Sequence, residues 1–270
     1  MKIAVCMSGQ LRNWDIAKYS QKWFWGTSAE DVDYFIHTWN YSGDRRGVSQ
    51  PYEWRDVPKT EFKEIVEWYD IKKSIYDTMD QKYFYGDDHW SSLFYSFAQS
   101  IMLKRQYEID NDFEYDLVIK SRPDVAFDPK RHFTYDYLQD NVLYTTHGGN
   151  MPHEFNMFNI NDICFYSNSY TMDILINLYF HRQKVINGNS GYNMEEGDLN
   201  FQALGPGTLI HEYCRDYGIT ALPTMTRDAL IAPGHWQETI IRLGCPEDLD
   251  LLDTKEFYKI EKYFRKWYNK

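Results

Sequence analysis

The chain predicts an α/β protein: one domain built on a mostly parallel, Rossmann-like sheet flanked by helices. Short apolar runs of strand length alternate with longer stretches of helical spacing. The 270 residues, 43% of them apolar, suffice for one large core. No internal repeat and no compositional break marks a linker, so residues 1–270 read as a single unit.

Lys2 to Met7 (KIAVCM) is a short buried strand. Ser8-Gly9-Gln10 breaks it, and Leu11 to Trp25 has helical spacing. Residues 32–39 (VDYFIHTW) form a second strand. The polar stretch from Asn40 to Pro58, with Gly and Pro, reads as a surface loop. Residues 60–70 and 91–110 read as helices, the second striped by Leu93, Phe94, Phe97, Ile101 and Leu103. Asp116 to Lys120 is a third buried strand, closed by Ser121-Arg122-Pro123-Asp124. Strands follow at Asn141 to Thr145 and Ile163 to Tyr166, then a helix from Ser169 to His181. Asn187 to Gly197 is a Gly/Asn-rich loop, and Pro206 to Tyr217 is a helix that Gly218 stops. Thr254 to Lys270 reads as an aromatic-basic helix. Ligands of open α/β sheets sit beyond the carboxyl ends of the strands, so the loops after Met7, Trp39 and Lys120 are the places to look.

Composition narrows the function. Aromatic residues make up 18% of the chain, and flat rings suit a sugar face or a base as well as a core. A net charge of −11 argues against a general nucleic-acid coater. Cys6, Cys164, Cys214 and Cys245 show no zinc spacing and suit a reducing cytoplasm. The amino-terminal apolar run is too short for a signal peptide, and no stretch approaches the roughly 20 apolar residues of a membrane span. The expected location is cytoplasmic.

Four constellations carry chemistry. Ser8, Gly9, Gln10 and Arg12 form a strand–glycine–helix junction; Gly9 permits close backbone approach, and Arg12 can clasp a diphosphate. It is neither GxGxxG nor a Walker loop, so dinucleotide and ATP readings gain nothing. His37 and Trp39 alternate at a strand end, either toward a ligand or packed inside. Lys120, Arg122 and Asp124 arrive together at the end of a buried strand. Two cations beside a carboxylate suit a diphosphate with a divalent ion, Asp124 being the hard oxygen ligand for Mg²⁺ or Mn²⁺; a structural Arg–Asp pair is the alternative. Glu195, Glu196 and Asp198, on a Gly-flanked loop before a helix, could supply a general base or merely complement a helix dipole. His147 and His235, in Gly-containing loops, are further metal candidates.

Val5-Cys6-Met7-Ser8-Gly9-Gln10-Leu11-Arg12, Phe35-Ile36-His37-Thr38-Trp39 and Lys120-Ser121-Arg122-Pro123-Asp124 together resemble a group of viral and bacterial glycosyltransferase-like proteins with the GT-A fold. Asp162 to Tyr166 and Gly205-Pro206 extend the resemblance over about residues 1–220. It implies a nucleoside-diphosphate sugar donor, usually a UDP or GDP sugar, and a divalent metal. The usual metal motif of that fold is Asp-x-Asp; Arg122 stands here in place of the first Asp, which puts metal dependence in question. Within the group, the chain looks most like tailed-phage sugar transferases that decorate 5-hydroxymethylcytosine in DNA, the arabinosyl type in particular. That implies UDP-arabinose as donor, hydroxymethylated DNA as partner and a host cytoplasm.

Two other readings stand beside it. The acceptor could be a surface glycan or lipid-linked saccharide, because residues 253–270 hold six Lys/Arg against three acids and a basic aromatic helix can touch a membrane surface. Alternatively, the chain is a non-catalytic nucleotide-sugar-binding module, since fold alone does not guarantee activity.

Overall fold

The computed structural model describes residues 1–12, 14–26, 31–44, 53–79, 90–127, 138–147, 160–181, 206–223 and 240–242. The strands are β1 (Lys2–Gly9), β2 (Asp31–Trp39), β3 (Tyr41–Asp44), β4 (Glu53–Asp56), β5 (Lys73–Asp77), β6 (Leu117–Ser121), β7 (Val125–Phe127), β8 (Val142–His147), β9 (Ile160–Ser167), β10 (Thr220–Pro223) and β11 (Ile240–Arg242). The helices are α1 (Trp14–Gly26), α2 (Lys59–Tyr69), α3 (Trp90–Asn111), α4 (Ser169–Ile174) and α5 (Pro206–Asp216).

Seven strands form the main sheet in the order β5-β2-β1-β6-β9-β8-β10. β5, β2, β1 and β6 pair in parallel, as do β8 and β10; β9 runs antiparallel between β6 and β8. This is the mostly parallel sheet that the alternating pattern predicts. β1 lies inside the sheet between β2 and β6 and is buried on both faces. Ile3, Val5 and Met7 join the layer containing Trp14, Trp25 and Ile65 from α1 and α2; Ala4 and Cys6 join the layer containing Phe94, Phe97, Ile101 and Tyr213 from α3 and α5.

Helix ends follow local chemistry. Gly218, at φ +67°, ends α5: its N–H bonds Arg215 O at 3.2 Å, and Ile219 N bonds Cys214 O at 2.7 Å. That double bond is the Schellman arrangement, and it confirms the expected glycine stop. Asn168 caps α4 by accepting from Thr171 N at 2.9 Å. Between α3 and α4 lies a buried charged knot. Lys104 Nζ donates to Glu108 at 3.0 Å, Ser169 Oγ at 2.6 Å and Asp173 at 2.6 Å, while Glu108 also accepts from Tyr115 N at 2.9 Å.

Several boundaries and elements differ from the sequence reading. The first helix begins at Trp14 rather than Leu11, because Arg12 N turns back to Gln10 O at 3.1 Å. The stretch expected as loop between 40 and 58 contains the β3–β4 hairpin. The helix expected over 169–181 tightens into a 3₁₀ turn at Leu175–Asn177. β5, β7, β10 and β11 were not anticipated. The loop at 187–197 and the tail at 253–270 lie outside the described residues. Among the described residues, no helix is long and apolar enough to cross a membrane.

Candidate active site

The sheet changes direction of growth at β1: β2 and β5 lie to one side, β6 to the other. The crevice at such a switch point, outside the strand carboxyl ends, is where open α/β sheets hold ligands. The first and third constellations meet there. Gly9, at φ +126°, sits in a backbone region closed to other residues, and Thr38 Oγ1 donates to its carbonyl at 2.8 Å. Past the turn, Gln10 Oε1 accepts from Arg12 Nε at 3.0 Å and from Gly43 N of the β3–β4 hairpin at 2.8 Å. Ser8, one residue earlier, is buried.

On the β6 side, Arg122 holds Asp124 with a two-point fork, Nε to Oδ1 at 2.8 Å and Nη2 to Oδ2 at 2.6 Å. Arg12 Nε stands 4.0 Å from the same Oδ2. Asp124 is 1% exposed, whereas both arginines reach solvent, their side chains 19% and 17% exposed. Burial pushes the Asp124 carboxyl upward, but the Arg122 charge and hydrogen bonds, with Arg12 behind them, hold it below the usual carboxylate range. The result is a fixed anion that aims two guanidinium groups from opposite sides of the switch point.

The turn carrying Arg122 and Asp124 is clamped by a residue the sequence reading missed. Gln21, fully buried in α1, donates through Nε2 to the carbonyls of Arg122 at 2.9 Å, Pro123 at 3.1 Å and Val125 at 2.7 Å. Its Oε1 accepts from Tyr69 OH at 3.1 Å. One turn of helix also holds β7, since Ser20 Oγ accepts from Phe127 N at 3.1 Å. Phe24 stacks on Phe127 with ring centroids 4.2 Å apart. A Gln on an apolar helix face was the available signal. Ser121 Oγ, buried beside Arg122, has no hydrogen-bond partner among the described residues.

Other expected site residues lie elsewhere. Lys120 turns into the α3-side layer, where its amine donates to the backbone carbonyls of Asp162 and Ile163. Burial pushes that amine down to about 8 despite nearby Asp162. His37 and Trp39 do share a face, but it is the packed one, with exposures of 0% and 1%. His37 Nδ1 meets Ser96 Oγ at 2.8 Å, Nε2 meets Asp77 Oδ2 at 3.2 Å, and burial lowers its pKa against the opposing pull of Asp77. Glu195, Glu196, Asp198 and His235 lie outside the described residues; His147 ends β8, its backbone in register with Ile160.

A divalent ion does not fit the described donors. Both Asp124 oxygens are taken by the Arg122 fork, a second guanidinium stands at 4.0 Å, and no group of three His, Cys, Asp or Glu side chains among the described residues could hold a metal. Among the described residues, the positive charge at this edge comes from Arg12 and Arg122.

No family profile matches the chain, and no curated protein matches it. Among solved structures, it is similar to a glycosyltransferase involved in glycosylation of the major capsid of PBCV-1, with 10% identity over 83% of this chain and 81% of that one and a TM-score of 0.38. It is also similar to the nucleoside-diphosphate-sugar pyrophosphorylase of Vibrio cholerae RC9, with 11% identity over 95% and 99% and a TM-score of 0.38.

Proposed function

We propose that the chain is a glycosyltransferase using a nucleoside-diphosphate sugar, with a UDP-sugar as donor. One observation carries the reading: two part-exposed guanidinium groups, Arg12 and Arg122, converge on one buried carboxylate at the switch point of a parallel sheet. Paired guanidiniums suit the two phosphates of the donor, and they stabilise the charge that gathers on the departing nucleoside diphosphate. In the transfer, an acceptor hydroxyl attacks the anomeric carbon and the bond from that carbon to the β-phosphate oxygen breaks. The hydroxyl proton passes to a carboxylate, for which Glu195, Glu196 and Asp198 are the candidates. Asp124 orients Arg122 on this reading rather than binding Mg²⁺ or Mn²⁺.

The acceptor proposed is the hydroxymethyl group of 5-hydroxymethylcytosine in DNA. The motif resemblance supports it, and a base in duplex must be flipped out to reach the donor. A second reading, a binding module without catalysis, is favoured by the same fork: Arg122 occupies both Asp124 oxygens and leaves no ready metal ligand.

The test combines donor and acceptor. A screen of UDP- and GDP-sugars by thermal shift should show stabilisation by a UDP-sugar, lost in Arg122→Ala. Incubation with UDP-arabinose or UDP-glucose and hydroxymethylated DNA should then add sugar mass to the modified nucleoside. Donor binding without transfer or donor hydrolysis supports the binding module; transfer to a saccharide but not to DNA moves the acceptor to a glycan.

A further inference from the structure

Asp77 ends β5, the edge strand beside β2. Register places it level with the β1 turn: Asp77 pairs with Trp39, and Thr38 pairs with Gly9, so Asp77 stands level with Gln10. Strand spacing puts it about 10 Å across the sheet from the end of β1 and about 14 Å from the end of β6.

Its carboxylate is held from behind. Oδ2 faces His37 Nε2 at 3.2 Å and accepts from Tyr95 OH at 3.5 Å. His37 is anchored in turn by Ser96 Oγ at 2.8 Å from Nδ1. With Asp77 ionised and the imidazole neutral, Nε2–H donates to Asp77, and Nδ1 is left to accept from Ser96 O–H, whose oxygen also lies 3.2 Å from His37 O. The backbone is fixed as well, Asn40 N donating to Asp77 O at 2.7 Å and Met79 N to Asn40 Oδ1 at 3.0 Å. The side chain is 32% exposed, and no lysine or arginine pairs with it among the described residues.

A pre-oriented carboxylate at the ligand edge repels phosphate. It suits the uncharged part of a ligand, where O–H or N–H groups can donate to it. The edge is therefore polarised, cations at β1 and β6 and an anion at β5, as a nucleoside diphosphate is polarised between its phosphates and its hydroxyl- and amide-bearing half. We propose that Asp77 is a nucleoside-recognition residue, its Oδ1 accepting a hydrogen bond from the nucleoside half of a ligand whose phosphates lie on Arg12 and Arg122. This assignment rests on reading that edge as a nucleotide site.

The experiment is titration calorimetry of the full chain with UDP, with GDP in parallel, with 2′-deoxy-UDP and with inorganic pyrophosphate. In Asp77→Asn the amide oxygen must take the His37 N–H, which turns the NH₂ toward the ligand's donors. UDP affinity should fall about ten- to a hundredfold while pyrophosphate affinity stays unchanged. Asp77→Glu, which keeps the charge but moves it by one methylene, should lose less, and both variants should melt near the wild type. Arg122→Ala should weaken UDP and pyrophosphate alike. If the donor group is the ribose 2′-hydroxyl, 2′-deoxy-UDP binds the wild type weakly; if it is the 3′-hydroxyl or a base N–H, 2′-deoxy-UDP matches UDP. Wild-type UDP affinity in Asp77→Asn, with UDP affinity lost in Arg122→Ala, overturns the role of Asp77 alone. So does an equal loss of pyrophosphate and UDP in Asp77→Asn. No effect of Arg122→Ala on either ligand overturns the nucleotide site itself.

Discussion

Replacing Gln21 with Met tests how firmly the candidate site is held by the core. The swap keeps an unbranched side chain of similar volume but removes two N–H donors and one acceptor. Three carbonyls, of Arg122, Pro123 and Val125, lose their shared donor, and Tyr69 OH loses its acceptor. At about 1 kcal/mol for each of the two N–H groups, rising toward about 2 kcal/mol where a buried carbonyl stays unsatisfied, the loss is about 2–4 kcal/mol. For a chain this size that corresponds to a melting-point fall of roughly 4–7 °C. Urea unfolding should show the lower midpoint at unchanged slope. Donor affinity should fall with it, because the turn aiming Arg122 is no longer clamped. A Gln21→Met protein within about 0.5 kcal/mol of the wild type, the range of an ordinary surface change, refutes the clamp.

Other outcomes follow from the same geometry. Lys104→Met should cost about 3–5 kcal/mol, because Glu108 and Asp173 lose their buried cation; chemical denaturation measures it. Gly218→Ala should cost about 1 kcal/mol through φ +67° alone, since nothing lies within 4 Å of the added Cβ. Lys120 has its amine lowered from 10.5 to about 8, so between those values the unfolded chain binds the extra proton and wild-type stability gains with rising pH. The gain approaches about 3 kcal/mol and should be missing from Lys120→Met in a pH series of urea melts. Asp124→Ala should abolish sugar transfer while the fold persists, read by turnover at saturating donor.

The central sheet was legible because β1 and β6 are built around short apolar runs, Ile3 to Met7 and Leu117 to Ile119, and β2 around Tyr34-Phe35-Ile36, all buried. The edge elements were not. β5 (KSIYD) mixes charge with apolar residues, and β3 (YSGD) and β4 (EWRD) carry the composition of loops. Their pairing is imposed by neighbours, such as the Gln10 contact with Gly43 and the bond from Arg55 to Leu11 O. Arg12, Arg122 and Asp124 stand out in the sequence because they follow the ends of buried strands, and the structure brings the three together. Period-two spacing correctly put His37 and Trp39 on one face but carries no sign to say which face is covered; α3 covers theirs. Asp77 and Gln21 were missed because their roles arise from contacts 40 and about 100 residues away.

The place of β1 between β2 and β6 also sets the order in which the sheet can close. β2 follows β1 closely along the chain, whereas the other flanking strand is β6, whose pairing begins with Ile3 against Leu117. At typical elongation rates those residues leave the ribosome on the order of ten seconds apart. Until β6 arrives, the nascent chain carries an apolar strand with one open hydrogen-bonding edge, a template for any other strand in reach. β1 therefore gains its second neighbour only once β6 has emerged, and a chaperone that shields residues 2–9 during that interval should raise the yield of native protein.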